Sequence, residues 1–305
     1  MTVPSSEDRA PTPISAWLLA ARPKTLTASL APILLGVGVA ASFSAQSIPL
    51  RLAGLALASA LCIQVGTNLV NDAADFEKGA DTAERLGPRR VTQSGLLRGS
   101  HVKIGAAGFF LVAALLGIPL ILAGGAPILV IGALSLIAGY SYTAGPFPLA
   151  YLGLGEVFVL LFFGFAAVKG MAFVLTGTGL WPWADVGALQ VGLQSSALLA
   201  VNNCRDIAGD RKAGKRTLAA RFGERFARLE ITVLVALPYL VGAAWAAGGR
   251  PWAALLPLLT LPLAFVLVRG VWNEPPSRRF NVFLAQTSLL QLLFCALAAV
   301  GLVLG

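Results

Sequence analysis

Charge is what this chain most lacks. Only 12% of its 305 residues are Asp, Glu, Lys or Arg, where a soluble domain carries about 25%. That is too little to cover a soluble surface of this size, and 57% of the residues are hydrophobic. Histidine is scarcer still. His101 stands alone, which excludes His-rich zinc sites and bis-His haem ligation. Cys62, Cys204 and Cys295 are far apart, form no CxxC pair and fall within or beside apolar segments. They read as small buried apolar residues, giving neither a disulfide framework nor a metal site. The N-terminal MTVPSSEDRAPTP is polar, proline-rich and acidic instead of a basic lead into an apolar run, so no cleaved signal peptide is expected.

What the chain has in abundance is long apolar sequence. Stretches near 17–45, 50–71, 103–123, 126–144, 151–175, 186–204, 229–247, 251–271 and 281–304 predict nine membrane-crossing helices. Prolines 32, 119, 238, 257 and 262 fall inside them, which membrane helices tolerate. The expected fold class is therefore all-α, a polytopic membrane protein. With a cytoplasmic N-terminus and residues 1–15 as a flexible arm, one face collects 20 of the 23 Lys and Arg. The other face keeps Arg51 and Arg250, and Lys169 lies within a span. This asymmetry predicts N-in, C-out. It also accounts for the net charge of +9. Because the basic residues occupy short loops without interleaved aromatics, no nucleic acid partner is expected.

Acidic residues number only 14, so their placement is informative. Asp72, Asp75, Glu77, Asp81 and Glu84 crowd one segment, and Asp206 and Asp210 sit where the sixth span meets its loop. Asn71 and Asp75 are four apart, as are Asn202 and Asp206, at an offset of 131 residues. Residues i and i+4 share a helix face, so each segment aims an amide and a carboxylate the same way; Asn68 continues the first stripe. Clustered carboxylates resist joint ionisation unless a cation compensates, and Mg²⁺ takes one or two carboxylates plus water and phosphate oxygens. Lys78, Arg85, Arg89 and Arg90 follow the first cluster, and Arg205, Arg211, Lys212, Lys215 and Arg216 surround the second. Carboxylates for Mg²⁺ beside guanidinium forks for phosphate describe a magnesium-diphosphate site. The alternative is a set of ordinary solvated juxtamembrane charges.

The segment between spans two and three is long and glycine-marked, with Gly79, Gly87, Gly95 and Gly99. That suits a lid over an anionic substrate, or a solvated linker; Gln93 and Ser94 add an amide and a hydroxyl to its arginines. A diphosphate site above apolar helices suggests a lipid diphosphate with its tail in the bilayer. An allylic cation formed there would need aromatic faces, for which Tyr140, Tyr142, Phe158, Phe162 and Phe163 are candidates, or simply packing residues.

The motifs themselves carry a resemblance. NDAADFEKGAD with a downstream DIAGD resembles the paired aspartate-rich motifs of the UbiA-type intramembrane prenyltransferases. ARPKTL, GPRRVTQSGLL, YTAGPFPLAYLGLGE and NNCRDIAGDRKAGKRTLAARFG are similar to the 1,4-dihydroxy-2-naphthoate branch, which serves menaquinone and phylloquinone synthesis. The resemblance implies one domain over residues 1–305, a helical bundle around a central cavity in a bacterial inner membrane, with 72–102 and 205–228 as cytoplasmic active-site loops. It implies transfer from a polyprenyl diphosphate to 1,4-dihydroxy-2-naphthoate with loss of CO₂. Carried over residue by residue, Asn71, Asp75, Asp206 and Asp210 match the Mg²⁺ motif, with Asp72 and Asp81 as contributors. Asn202 stands to Asp206 as Asn71 does to Asp75. Asp72, Asp75, Asp206 and Asp210 would be catalytic. Substrate binding would fall to Arg22, Lys24, Asn68, Lys78, Arg85, Arg89, Arg90, Gln93, Ser94, Tyr142, Asn203, Arg205, Lys212, Lys215 and Arg216.

Three positions depart from the family pattern. Gly79 stands where the third acidic residue is usual, so Asp81 is expected to substitute, and Ala73 and Ala74 replace residues often aromatic. Lys169 could hold the acceptor carboxylate or pair with Glu156. Rival functions are transfer to 4-hydroxybenzoate, homogentisate or a chlorophyllide, and secondary transport of an organic anion. A transport site would sit near the bilayer midplane, whereas these charges gather at one edge.

Overall fold

The computed structural model describes residues 12–44, 47–82, 84–179 and 182–305; the side chain of Lys24 lies outside that description. All secondary structure among these residues is helical. Helix α1 (Pro13–Ala21) begins under a Thr12 cap, whose Oγ1 accepts from the Ser15 amide at 3.3 Å. It stops at Arg22, held at φ 53° ahead of Pro23. A residue before proline is pushed out of the α region, so the expected span 17–45 is broken there. After one 3₁₀ turn, α2 runs Thr27–Phe43.

Helix α3 (Leu50–Glu77) continues further than expected, placing Asp72 and Asp75 inside a helix instead of a loop. Helix α4 (Gly99–Ser141) has 43 residues, about 65 Å at the α-helical rise. Its ladder is interrupted at Gly125, where φ is 63° and ψ −150°. Helices α5 (Gly155–Thr176), α6 (Trp183–Arg205), α7 (Glu224–Ala247), α8 (Pro251–Asn273) and α9 (Phe280–Leu304) complete the bundle. Among the described residues seven helices, α3 to α9, are long and apolar enough to cross a membrane, and α2 is a shorter apolar helix. The protein is an integral membrane protein.

Helices α4 and α6 show why composition sorts the bundle. Helix α4 is nearly pure hydrocarbon and only 17% buried along its most apolar stretch, whereas α6 is 72% buried there. Helix α6 carries Gln190, Gln194, Ser195, Ser196 and Asn203, all buried. Lipid offers such groups no hydrogen bonds, so they must face protein. Gln190 accepts from Trp245 Nε1 at 2.8 Å and donates to the Pro238 carbonyl at 2.9 Å. Gln291 of α9 donates to Ser195 Oγ at 2.6 Å. Apolar clusters built on α2, α5, α6 and α9, and on α6, α7, α8 and α9, surround this central helix. Its last turn delivers Asn202, Asn203 and Arg205 to the same end of the bundle as the end of α3.

Candidate active site

A cavity of about 590 Å³ opens between α2, α3, the end of α4, α5 and α6. Its apolar part is lined by residues including Pro32, Ile33, Ile63, Phe158, Phe162 and Phe163. Within α5, Leu160–Lys169 is π-helical, a wider coil than the α-helix and frequent at functional sites; Phe162, Phe163 and Ala167 face the cavity from it. Tyr142 joins them, whereas Tyr140 does not line the cavity and is 51% exposed.

The polar end is built from the two acidic segments. On α3, Asn68, Asn71 and Asp75 line the cavity as one stripe. Asn68 Nδ2 donates to the Ala21 carbonyl at 3.0 Å, fixing the break that presents Arg22. Asn71 Oδ1 accepts from Thr143 Oγ1 at 2.6 Å. Asp75 is ringed by donors: Tyr151 OH at 3.0 Å and Lys215 Nζ at 3.1 Å on Oδ1, and Arg90 Nη2 at 3.3 Å on Oδ2. The Tyr151 ring lies beneath Lys78 Nζ and Lys215 Nζ, 4.4 and 5.0 Å from its centroid. Burial, with Asp75 beside it, pushes the Tyr151 phenol well up, so it stays a donor.

Opposite, Arg205 forks onto Asp206, Nε to Oδ1 at 2.8 Å and Nη2 to Oδ2 at 2.6 Å. The same guanidinium reaches Asn202 Oδ1 at 2.8 Å and Asn281 Oδ1 at 2.7 Å. Asp210 accepts from Thr217 Oγ1 at 3.3 Å. Burial pushes its carboxyl up to about 6 against the pull of Lys215, and Asp206 and Asp75 add to the rise. All three carboxylates line the same cavity. No three His, Cys, Asp or Glu side chains among the described residues converge closely enough to hold an ion alone. The donor set is nevertheless hard oxygen on two facing walls, and it fits a cation whose remaining ligands are water and phosphate.

Arginines roof the mouth. Arg22, Arg85 and Arg90 line it, and Arg22 Nη2, Arg85 Nε and Arg90 Nη1 are buried without a hydrogen-bond partner. Burial, with Arg85 nearby, lowers Arg22 to about 10, so it remains charged at neutral pH. Buried donors left unsatisfied are costly; three of them around one opening mark an anion site.

Other expected site residues do different work. Asp72 does not line the cavity: its Oδ2 and Oδ1 accept the Val91 and Thr92 amides at 3.1 and 2.9 Å. Asp81 is likewise off the cavity, paired with Arg85 Nη1 at 2.5 Å and Arg90 Nε at 3.1 Å. Burial pushes its carboxyl up to about 6, opposed by Arg85. The expected substitution of Asp81 for an acid at 79 therefore does not bring it into the lining, because two arginines claim it. Asn203 and Lys212 line the cavity; Arg89 and Arg216 are exposed away from it, and Gln93 and Ser94 lie in the pinned turn, where Ser94 Oγ donates to the Arg90 carbonyl at 2.6 Å. Lys78 donates to the Thr143 carbonyl at 2.6 Å. Lys24 has no described side chain. Lys169 pairs with Asp185 at 2.7 Å instead of Glu156 and does not line the cavity. Tyr151, Thr143 and Asn281 join the site from outside the expected set, although Thr143 and Tyr151 both stand in the YTAGPFPLAYLGLGE segment.

Residues 29–303 match the sequence model of the UbiA prenyltransferase family. The 1,4-dihydroxy-2-naphthoate octaprenyltransferase of Haemophilus influenzae is 34% identical over 302 residues, 95% of this chain and 96% of that protein. The Escherichia coli protein of the same name is 39% identical over 219 residues, 70% of each chain. Among solved structures, a UbiA homolog from Archaeoglobus fulgidus bound to GPP and Mg²⁺ superposes with a TM-score of 0.69 at 17% identity, covering 95% of this chain and all of that one.

Proposed function

We propose that this chain, which belongs to the UbiA prenyltransferase family, transfers a polyprenyl group from an allylic polyprenyl diphosphate to 1,4-dihydroxy-2-naphthoate, losing CO₂ and releasing diphosphate. The observation that carries the reading is the trio of orphaned guanidinium donors above facing carboxylates, at the mouth of an apolar cavity. Curated relatives named for that acceptor support its identity.

In this reading Arg22, Arg85, Arg90 and Lys215 grip the diphosphate oxygens. Asp75, Asp206 and Asp210, with Asn71 and Asn202, would hold Mg²⁺, which when bound neutralises the departing diphosphate. Asp72 and Asp81 act one step back, the first pinning the turn at 91–92 and the second aiming Arg85 and Arg90. The tail runs down the apolar part of the cavity, where Tyr142, Phe158, Phe162 and Phe163 offer aromatic faces to an allylic cation. The chain is one domain, and the segments 78–98 and 206–223 close over its mouth on the cytoplasmic side. Counting α2 as a span and α4 as two, divided at Gly125, gives nine crossings, N-in and C-out, in a bacterial inner membrane.

The test is direct. Detergent-purified protein is incubated with Mg²⁺, 1,4-dihydroxy-2-naphthoate and geranylgeranyl diphosphate, and products are read by mass spectrometry. A prenylated, decarboxylated naphthoquinol that vanishes with EDTA is expected. Product from 4-hydroxybenzoate or homogentisate alone would mean the acceptor is wrong.

A further inference from the structure

One buried acid in the cavity has no part in the diphosphate site. Glu156, in the first turn of α5, lines the cavity and is 9% exposed. Asn203 Nδ2 donates to its Oε1 at 2.8 Å, and Ser196 Oγ donates to its backbone carbonyl at 3.2 Å. Both partners come from central helix α6, so the carboxyl is held in place from behind. No ion pair among the described residues reaches it; Lys169, the nearest expectation in sequence, is committed to Asp185. A buried carboxyl with one neutral partner is costly to keep, and an intramembrane acid facing a cavity is a functional candidate.

Its surroundings indicate the work. Tyr142 lines the same cavity beside the start of α5, its hydroxyl 3.3 Å from where a Cβ at Gly155 would stand. Ser196, which holds the Glu156 backbone, precedes Asp206 by ten positions along α6, so Glu156 is reached deeper in the bundle than the diphosphate-gripping end. Phe158, two residues on in the same helix, and Leu199 of α6 line the cavity beside it. An aromatic acceptor entering against these faces would meet one side chain able to exchange a proton: Asn203 is engaged with Glu156 itself, and a phenol such as Tyr142 is a poor base.

We propose that Glu156 is the proton shuttle for the acceptor hydroxyl beside the carboxyl-bearing carbon, an assignment that rests on the function proposed above. As that ring carbon bonds to the allylic carbon, whose bond to diphosphate oxygen breaks with its electron pair, Glu156 takes the hydroxyl proton. The ring is then a ketone adjacent to a quaternary carbon bearing the carboxylate, a β-keto acid. Glu156 returns the proton to that carbonyl oxygen as the carbon–carboxylate bond breaks. The pair from that bond restores the aromatic ring, CO₂ departs, and Glu156 ends as it began, a carboxylate.

The test compares wild type with Glu156→Gln, which keeps the acceptor for Asn203 and the side-chain volume. Binding of a non-reactive geranylgeranyl thiolodiphosphate with Mg²⁺, followed by calorimetry, should stay within about twofold, showing the fold and diphosphate site intact. Transfer to 1,4-dihydroxy-2-naphthoate should lose about 10²–10⁴-fold in kcat, the span of general acid–base catalysis, with little change in KM for the diphosphate. Glu156→Asp should restore part of the loss. Transfer within about threefold of wild type in Glu156→Gln, or loss of thiolodiphosphate binding along with transfer, would overturn the assignment. If the wild-type protein itself gives no prenylated naphthoquinol, the acceptor reading falls and takes this assignment with it, an outcome separable from the others by the wild-type control alone.

Discussion

The two acidic half-sites share a spacing but not a structure. Asn71 and Asp75 project from the interior of a helix that runs on to Glu77. Asn202 also lies in a helix, but its partner Asp206 is the residue at which α6 ends, with φ −97° and ψ 10°. The first wall is continuous helix; the second is a helix end followed by a short helical turn, Ile207–Lys212, that carries Asp210. The position matching Asp210 is Gly79, whose φ of +69° lies in the left-handed region and whose amide donates to the Phe76 carbonyl at 3.0 Å. Such a helix C-cap favours glycine and leaves no place for a ligand side chain. The first half-site therefore offers an amide and one carboxylate, and the second an amide and two. The charges around them differ as well: Asp75 draws cations from distant segments, Arg90 and Lys215, whereas Asp206 is clamped by its own neighbour Arg205.

This asymmetry ranks the carboxylates. Asp75→Asn removes the only carboxylate on the α3 wall and leaves Arg90 and Lys215 without their shared acceptor. It should cost at least about 10²-fold in kcat, the scale for losing one preorganised electrostatic contact, and EDTA should abolish turnover. Asp210→Asn should cost less, since Asp206 remains on its wall. Here pH sharpens the comparison. Because burial lifts the Asp210 carboxyl to about 6, it is ionised at pH 7.5 and takes up a proton as pH falls through 6. Half-saturating Mg²⁺ in the wild type should therefore rise between pH 7.5 and 5.5, and rise less steeply in Asp210→Asn. Equal slopes would show that Asp210 is not the titrating ligand.

How far the sequence reveals this site depends on whether a residue acts along its own helix. Asn68, Asn71 and Asp75 were legible because a 3.6-residue period fixes their common face. The apolar runs located the helices for the same reason. Asp72 and Asp81 were not separable from them, because their roles come from the returning chain: Asp72 is spent on amides 19 and 20 residues later, and Asp81 on two arginines. Tyr151 reaches Asp75 over 76 residues, a pairing that no local pattern encodes. The break at Arg22 did have a local signal in the following proline, but it is hidden inside a run whose composition otherwise reads as one span.

A third substitution tests the clamp on the second half-site. A Cβ at Gly87 would stand 2.8 Å from Arg205 Nη2. A side-chain tip can usually move, but this guanidinium is 1% exposed and committed to Asp206, Asn202 and Asn281. Gly87→Ala should therefore raise KM for the diphosphate about tenfold with Mg²⁺ dependence preserved; unchanged kinetics would mean the fork on Asp206 is not needed.

The mildest change addresses the exposed bridge between the two halves. Lys212, in the turn that carries Asp210, donates to Glu84 Oε2 at 2.9 Å, in the segment that follows α3. Both side chains are more than 70% exposed, and exposed pairs contribute little because water and salt screen them. The neighbouring tie between these halves is better protected: Asn281 Nδ2 donates to the Leu86 carbonyl at 3.0 Å while its Oδ1 accepts from Arg205. Glu84→Ala should accordingly change kcat/KM for the diphosphate by less than about twofold at 0.15 M salt, and less still at 0.5 M. A larger effect that salt erases would mean that the segment is held shut by this pair, and that the mouth opens between the two half-sites during turnover. A negligible effect leaves the buried ties as the hold, Lys215 on Asp75 and Asn281 between Leu86 and Arg205, and the second wall as the fixed frame onto which the first is tied.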